Sequence, residues 1–78
     1  MLKKKLSEFR IGERGVVTKV LGAGLVRRRL FDMGLTPGAE VVLKKKAPLG
    51  DPIEIWLRGY DLSLRKTEAE CIETEVKL

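Results

Sequence analysis

Eight glycines and three prolines fall so regularly over the first sixty of 78 residues that no long helix fits between them. Gly and Pro are the residues least tolerated inside helices, and Pro also breaks sheet ladders. The pieces left over are mostly of strand length. Val16 to Val20, opened by Gly15, is a β-branched run that Gly22 and Gly24 end. Glu40 to Lys44 and Ile53 to Arg58 form a second and third strand. In the latter, Ile53, Ile55 and Leu57 point one way, and Glu54, Trp56 and Arg58 the other. Gly59 makes a tight connection to Tyr60, Leu62 and Leu64, which alternate again, and Ile72, Thr74 and Val76 give a last half-buried strand.

Two stretches break the alternation. From Ala23 to Met33 the period is helical, with Val26, Leu30 and Met33 on one stripe, Arg28 opposite, and Leu25 and Phe31 on the flanks. Gly34 suits the left-handed residue after a helix, Leu35 is placed to fold back on the last turn, and Thr36-Pro37-Gly38-Ala39 reads as a type II turn. Thr67-Glu68-Ala69-Glu70 has capping-box spacing, so one helical turn precedes the last strand. Near the start, Ser7 caps a single turn that Gly12 ends, with Leu6, Phe9 and Ile11 docking on the core, while Lys3–Lys5 reads as a solvated N-terminus. The expectation is a mainly β fold, residues 1–78 as one domain. It is a small, strongly bent barrel of about five strands with one α-helix after the first strand, closed so that no edge is left bare.

Chemistry is limited by what is missing. There is no His, and Cys71 is the single Cys. Imidazole-based acid–base chemistry, a Cys–His pair, a disulfide framework and a zinc site of the usual His and Cys donors are excluded within one protomer, and a reducing cytoplasmic location fits. The Ser and Thr hydroxyls have no imidazole to activate them, and so small a domain is not expected to hold a pocket of several hundred cubic ångströms. The chain is read as non-enzymatic and without a cofactor. No stretch is apolar over the length a membrane span needs, so no direct membrane insertion is expected. The remaining metal-ligand candidates, Glu70, Cys71 and Glu73, lack the donors that hold a first-row metal tightly, so no metal is expected. They read instead as part of a solvated acidic edge strand that offsets the basic helix.

A formal charge of +5 points to an acidic partner. Arg27-Arg28-Arg29 and Lys44-Lys45-Lys46 are the basic clusters, but only Phe9, Phe31, Trp56 and Tyr60 are aromatic. Single-stranded nucleic acid is usually gripped by several stacked aromatics, so it is not the expected partner. Trp56 points away from the core face, and Trp and Arg are enriched where proteins dock on proteins. An exposed edge strand, or Trp56, also offers a route to self-association.

Three stretches resemble one known family. Val26-Arg27-Arg28-Arg29-Leu30-Phe31-Asp32-Met33-Gly34-Leu35-Thr36-Pro37-Gly38, Pro48-Leu49-Gly50-Asp51-Pro52-Ile53 and Leu62-Ser63-Leu64-Arg65-Lys66-Thr67-Glu68-Ala69 are similar to the signature of the FeoA family, ferrous iron transport protein A. The likeness runs from about Leu6 to Val76 with the motifs in family order. It implies an SH3-like barrel and a cytoplasmic accessory protein of bacterial ferrous iron uptake, partnered by the FeoB-type membrane transporter. With that partner in view, periodicity selects Leu25, Arg28 and Phe31 of the helix, Leu49 in the loop, and Trp56 as the expected contact surface. The alternatives are a transition-metal sensor or chaperone built on Glu70, Cys71 and Glu73, and a nucleic-acid-binding barrel using the basic clusters.

Overall fold

Each alternating stretch becomes a strand. A computed structural model describes residues 2–76; Met1, Lys77 and Leu78, which the expected domain span includes, lie outside the described residues. The strands are β1 (Leu2–Lys5), β2 (Arg14–Val20), β3 (Glu40–Lys46), β4 (Ile53–Leu57), β5 (Tyr60–Leu64) and β6 (Ile72–Val76), with helices α1 (Gly24–Asp32) and α2 (Lys66–Ala69). They form one antiparallel sheet in the order β1-β6-β2-β3-β4-β5. Bulges at Thr18 in β2 and Lys44 in β3 interrupt the register and bend the strands that carry them. The mainly β expectation holds, with six strands rather than five. The sheet does not close, because β1 and β5 are left as its two ends.

The additional strand is the lysine run. Lys3–Lys5 is not a loose terminus: Lys3 pairs with Glu75 and Lys5 with Glu73, while the buried Thr74 hydroxyl donates to the Lys4 carbonyl at 2.9 Å. β6 is therefore an interior strand, not an edge. Glu73 is flanked by Lys5 on β1 and Lys19 on β2, and opposite charges facing each other across strands stabilise a sheet. Its acids offset the neighbouring strands rather than the helix.

Leu6, Phe9, Leu35, Val41, Leu43, Ile55, Leu57 and Ile72 fill the core with essentially no exposure. Ile11, expected among them, is exposed beside Gly12. The turn at Leu6–Glu8 is held by the Glu8 carboxylate accepting the Lys5 N–H at 2.8 Å, not by Ser7. The second helical turn starts two residues earlier than its capping-box spacing suggested. Glu68, not Glu70, accepts the backbone N–H of the capping residue, Arg65, at 3.0 Å.

Candidate interaction surface

α1 is a surface helix held by few groups. Leu30 is its one buried residue, and Phe31 and Met33 are half-buried against the core. Its C-terminus closes as the sequence indicates: Gly34 takes φ +97°, Gly34 N–H donates to the Phe31 carbonyl at 2.9 Å, and Leu35 N–H donates to the Leu30 carbonyl at 3.0 Å. These are the paired bonds of a Schellman motif. The Tyr60 hydroxyl donates to the Met33 carbonyl and ties that end to β5.

The three arginines separate by direction. Arg27 donates through Nε to the Val20 carbonyl at 3.1 Å, with its guanidinium 4.8 Å from the centre of the Phe31 ring. Arg29 reaches α2 and pairs with Glu68 at 3.0 Å. Arg28 makes no hydrogen bond or ion pair among the described residues and faces solvent. Two arginines thus fasten the helix and the third is available. Ala23 caps the N-terminus without a side-chain hydrogen bond, and the next turn presents Leu25 at 86% exposure.

The β3–β4 connection carries a second outward leucine. Gly50 N–H donates to the Ala47 carbonyl at 2.7 Å, making a turn whose tip, Leu49, is 94% exposed. Asp51 fixes this loop in place by accepting the Lys66 N–H at 2.9 Å at the start of α2. The loop is therefore bound to α2, and α2 to α1 through Arg29–Glu68. No local signal marked Asp51 for this role, since its partner lies 15 residues away.

Trp56 stands apart from these. It lies on the outer sheet face at 37% exposure, between Val42 on β3 and Asp61 on β5. With Arg14, Val42 and Lys44 it lines a shallow depression of about 260 Å³, and Lys44 pairs with Asp61 at 3.1 Å. Of the five expected contact residues, Leu25, Arg28 and Leu49 lie on elements joined through α2. Phe31 is partly taken up by the core and Arg27, and Trp56 occupies a different face.

The expected lack of any sizeable pocket needs correcting. A depression of about 480 Å³ opens where β2 begins, lined by Gly12–Val16, Glu40, Glu75 and Val76. Three of its four charged side chains are engaged: Arg14 pairs with Glu40 at 3.3 Å and Lys4 with Glu13 at 2.9 Å. The Arg10 N–H, and after it the Lys4 ammonium, hold the Glu13 carboxyl below its usual range. The three metal-ligand candidates do not converge. Cys71 Sγ is half-buried and lies 3.5 Å from the Thr67 carbonyl, Glu73 lies between lysines, and Glu70 is exposed. Among the described residues no three Cys, Asp or Glu side chains are grouped to share a metal ion.

A family model for the FeoA domain matches residues 4–76. The chain belongs to the FeoA family. An Fe(2+) transport protein A/Fe(2+) transporter FeoB fusion protein of Porphyromonas gingivalis is 36% identical over 72 residues, which are 92% of this chain and 8% of that protein. This chain thus matches only a small part of that relative's length. The solution structure of an FeoA-like protein from Clostridium acetobutylicum is 44% identical and superimposes with a TM-score of 0.90, covering 100% of this chain and 91% of that one. The zinc complex of Stenotrophomonas maltophilia FeoA, described as a prokaryotic SH3 domain protein, is 26% identical, with a TM-score of 0.80 over 96% of this chain and 91% of that one. The FeoA fold seen here is accordingly SH3-like.

Proposed function

We propose that this FeoA-family chain is a non-enzymatic cytoplasmic accessory protein of bacterial ferrous iron uptake that binds and regulates an FeoB-type transporter. The observation that carries the proposal is the Porphyromonas gingivalis fusion, in which a segment 36% identical to this chain is named together with the transporter as one polypeptide. Fusion raises the effective concentration of one module at the other, which favours an interaction even when it is weak. A reducing compartment suits a chain with one Cys. Among the described residues no helix is long and apolar enough to cross a membrane, so the contact with the transporter is assigned to surface groups.

Leu25 and Leu49 are the apolar anchors, Arg28 supplies charge steering, Phe31 contributes its exposed edge, and Trp56 extends the contact over the outer sheet face. Regulation follows if the chain binds one transporter state more tightly than another, because equal affinity for both shifts nothing. Iron is the transporter's cargo in this scheme, and no step passes through a metal held by this chain.

Trp56, the only tryptophan, is a built-in probe. Its fluorescence is followed while detergent-solubilised transporter is added, with co-elution on a sizing column as the independent readout. A spectral shift with co-elution is expected for the wild type; both should weaken in Leu49→Asp, and co-elution should weaken in Trp56→Ala, which lacks the fluorophore. Absence of co-elution, or undiminished binding and iron uptake in both variants, rejects the assignment. Parallel titrations with ferrous iron alone and with mixed oligonucleotides should leave the signal flat.

A further inference from the structure

We infer that the free edge of β5 pairs with β5 of a second copy, forming a two-fold dimer with one continuous antiparallel sheet. An open sheet has two edges, and here they differ. β1 carries Lys3, Lys4 and Lys5, the kind of charge that discourages strand addition, and the Glu8 carboxylate and Thr74 hydroxyl already occupy the Lys5 N–H and Lys4 carbonyl. β5 reads Tyr60-Asp61-Leu62-Ser63-Leu64, with a single charge, no lysine and no proline.

The hairpin turn fixes which backbone groups are free. Arg58 at φ +49° and Gly59 at φ +93° form a two-residue turn with Leu57 and Tyr60 as the closing pair. Such a pair exchanges both ladder bonds, so by alternation Leu62 and Leu64 also bond β4, while Asp61 and Ser63 turn their N–H and C=O outward. None of those four groups has a hydrogen-bond partner among the described residues.

Self-pairing fits this pattern in one register. With the two-fold axis at Leu62, Asp61 faces Ser63 of the second copy and Ser63 faces its Asp61. All four outward groups on each copy are then satisfied, giving four interchain bonds. On one face a carboxylate meets a hydroxyl instead of another carboxylate, and Lys44, 3.1 Å from Asp61, offsets its charge. On the other face Leu62, half-buried at the rim of the core, meets its own symmetry mate. Centring on Asp61 would instead oppose two carboxylates. The interface is self-complementary, as two-fold dimers require, and it is small, so dissociation is expected at about 100 μM.

Sedimentation of the full chain between about 10 μM and 1 mM should show a monomer–dimer equilibrium. Over the same range, amide exchange at Asp61 and Ser63 should slow about fourfold, while Tyr60, Leu62 and Leu64, bonded to β4, stay unchanged. Ser63→Pro removes an outward N–H without costing a β4 bond and should leave the chain monomeric throughout. A wild type that remains monomeric, Asp61 and Ser63 amides indifferent to concentration, or a dimer undiminished in a folded Ser63→Pro chain overturns the proposal. The amide measurement stands without any variant. Transporter co-elution is scored separately, so losing the dimer does not remove the proposed function.

Discussion

Replacing Leu25 by Asp separates a docking role for α1 from a structural one. Leu25 is 86% exposed in the free protein, so it contributes little to folding and has nearly a whole side chain left to bury. Fully burying a leucine is worth about 1.5–3 kcal/mol, so a partner covering this one gains about 1.3–2.6 kcal/mol. Losing that contact weakens binding roughly 10- to 80-fold, and placing a carboxylate in an apolar contact adds to the loss. In the free chain two small effects oppose each other. Asp is a poorer helix former than Leu by about 0.5 kcal/mol, but an acid in the first turn gains about 0.3–1 kcal/mol from the helix dipole. α1 has no acid there and no side-chain cap, so the gain is open to it. The melting temperature should therefore stay within about 4 °C of the wild type. Thermal unfolding by circular dichroism and transporter titration by Trp56 fluorescence test the two halves. Unchanged stability with affinity preserved within about threefold would refute α1 as the contact. A fall of more than about 10 °C would show that Leu25 is packed in the free protein, which is incompatible with its exposure.

Leu30→Ala removes the one buried side chain of α1 and should cost about 2–5 kcal/mol, read as a lower urea midpoint. Gly34→Ala forces a Cβ into the left-handed region and within 3.2 Å of the Tyr60 hydroxyl, so a loss of about 1–2 kcal/mol is expected in the same measurement. Glu13 has its folded pKa held below 4.5, so its contribution is present above that value and is lost as pH falls through the folded pKa. Glu13→Gln should accordingly destabilise the chain near neutral pH, with the difference from wild type shrinking as the pH falls below 4.5; a gap independent of pH would count against that account.

What the sequence made legible was what neighbours in the chain decide. Alternation at Ile53, Ile55 and Leu57 located β4, and the helical stripe gave α1 within a residue of its ends. Gly34, Leu35 and the turn at Thr36–Ala39 closed as read because those bonds span only a few residues. What escaped depends on distant partners. β1 has no apolar alternation to reveal it, since Lys3–Lys5 is held by pairing with acids some 70 residues away. Barrel closure was inferred from the general cost of bare edges, yet lysines already guard one of the two ends. Periodicity set Arg28 opposite the apolar stripe, but that Arg27 bonds the Val20 carbonyl and Arg29 pairs with Glu68 depends on partners outside the helix.

That division of charge explains how so small a chain can present a shaped surface. A short helix is marginal by itself, and α1 buries only one side chain, so its position depends on the polar groups that brace it. Arg29–Glu68 joins α1 to α2, and Asp51 joins α2 to the turn carrying Leu49. Glu68 serves twice, accepting the Arg65 N–H at the start of α2 and the Arg29 guanidinium. At 12% side-chain exposure its carboxylate is better shielded from solvent and salt than the open pairs Arg14–Glu40 and Lys44–Asp61. Leu25 and Leu49 thus belong to elements connected by a chain of directional bonds rather than to two independent loops. Holding anchors in place before binding lowers the ordering cost of association, which is how so small a chain can offer a specific docking surface.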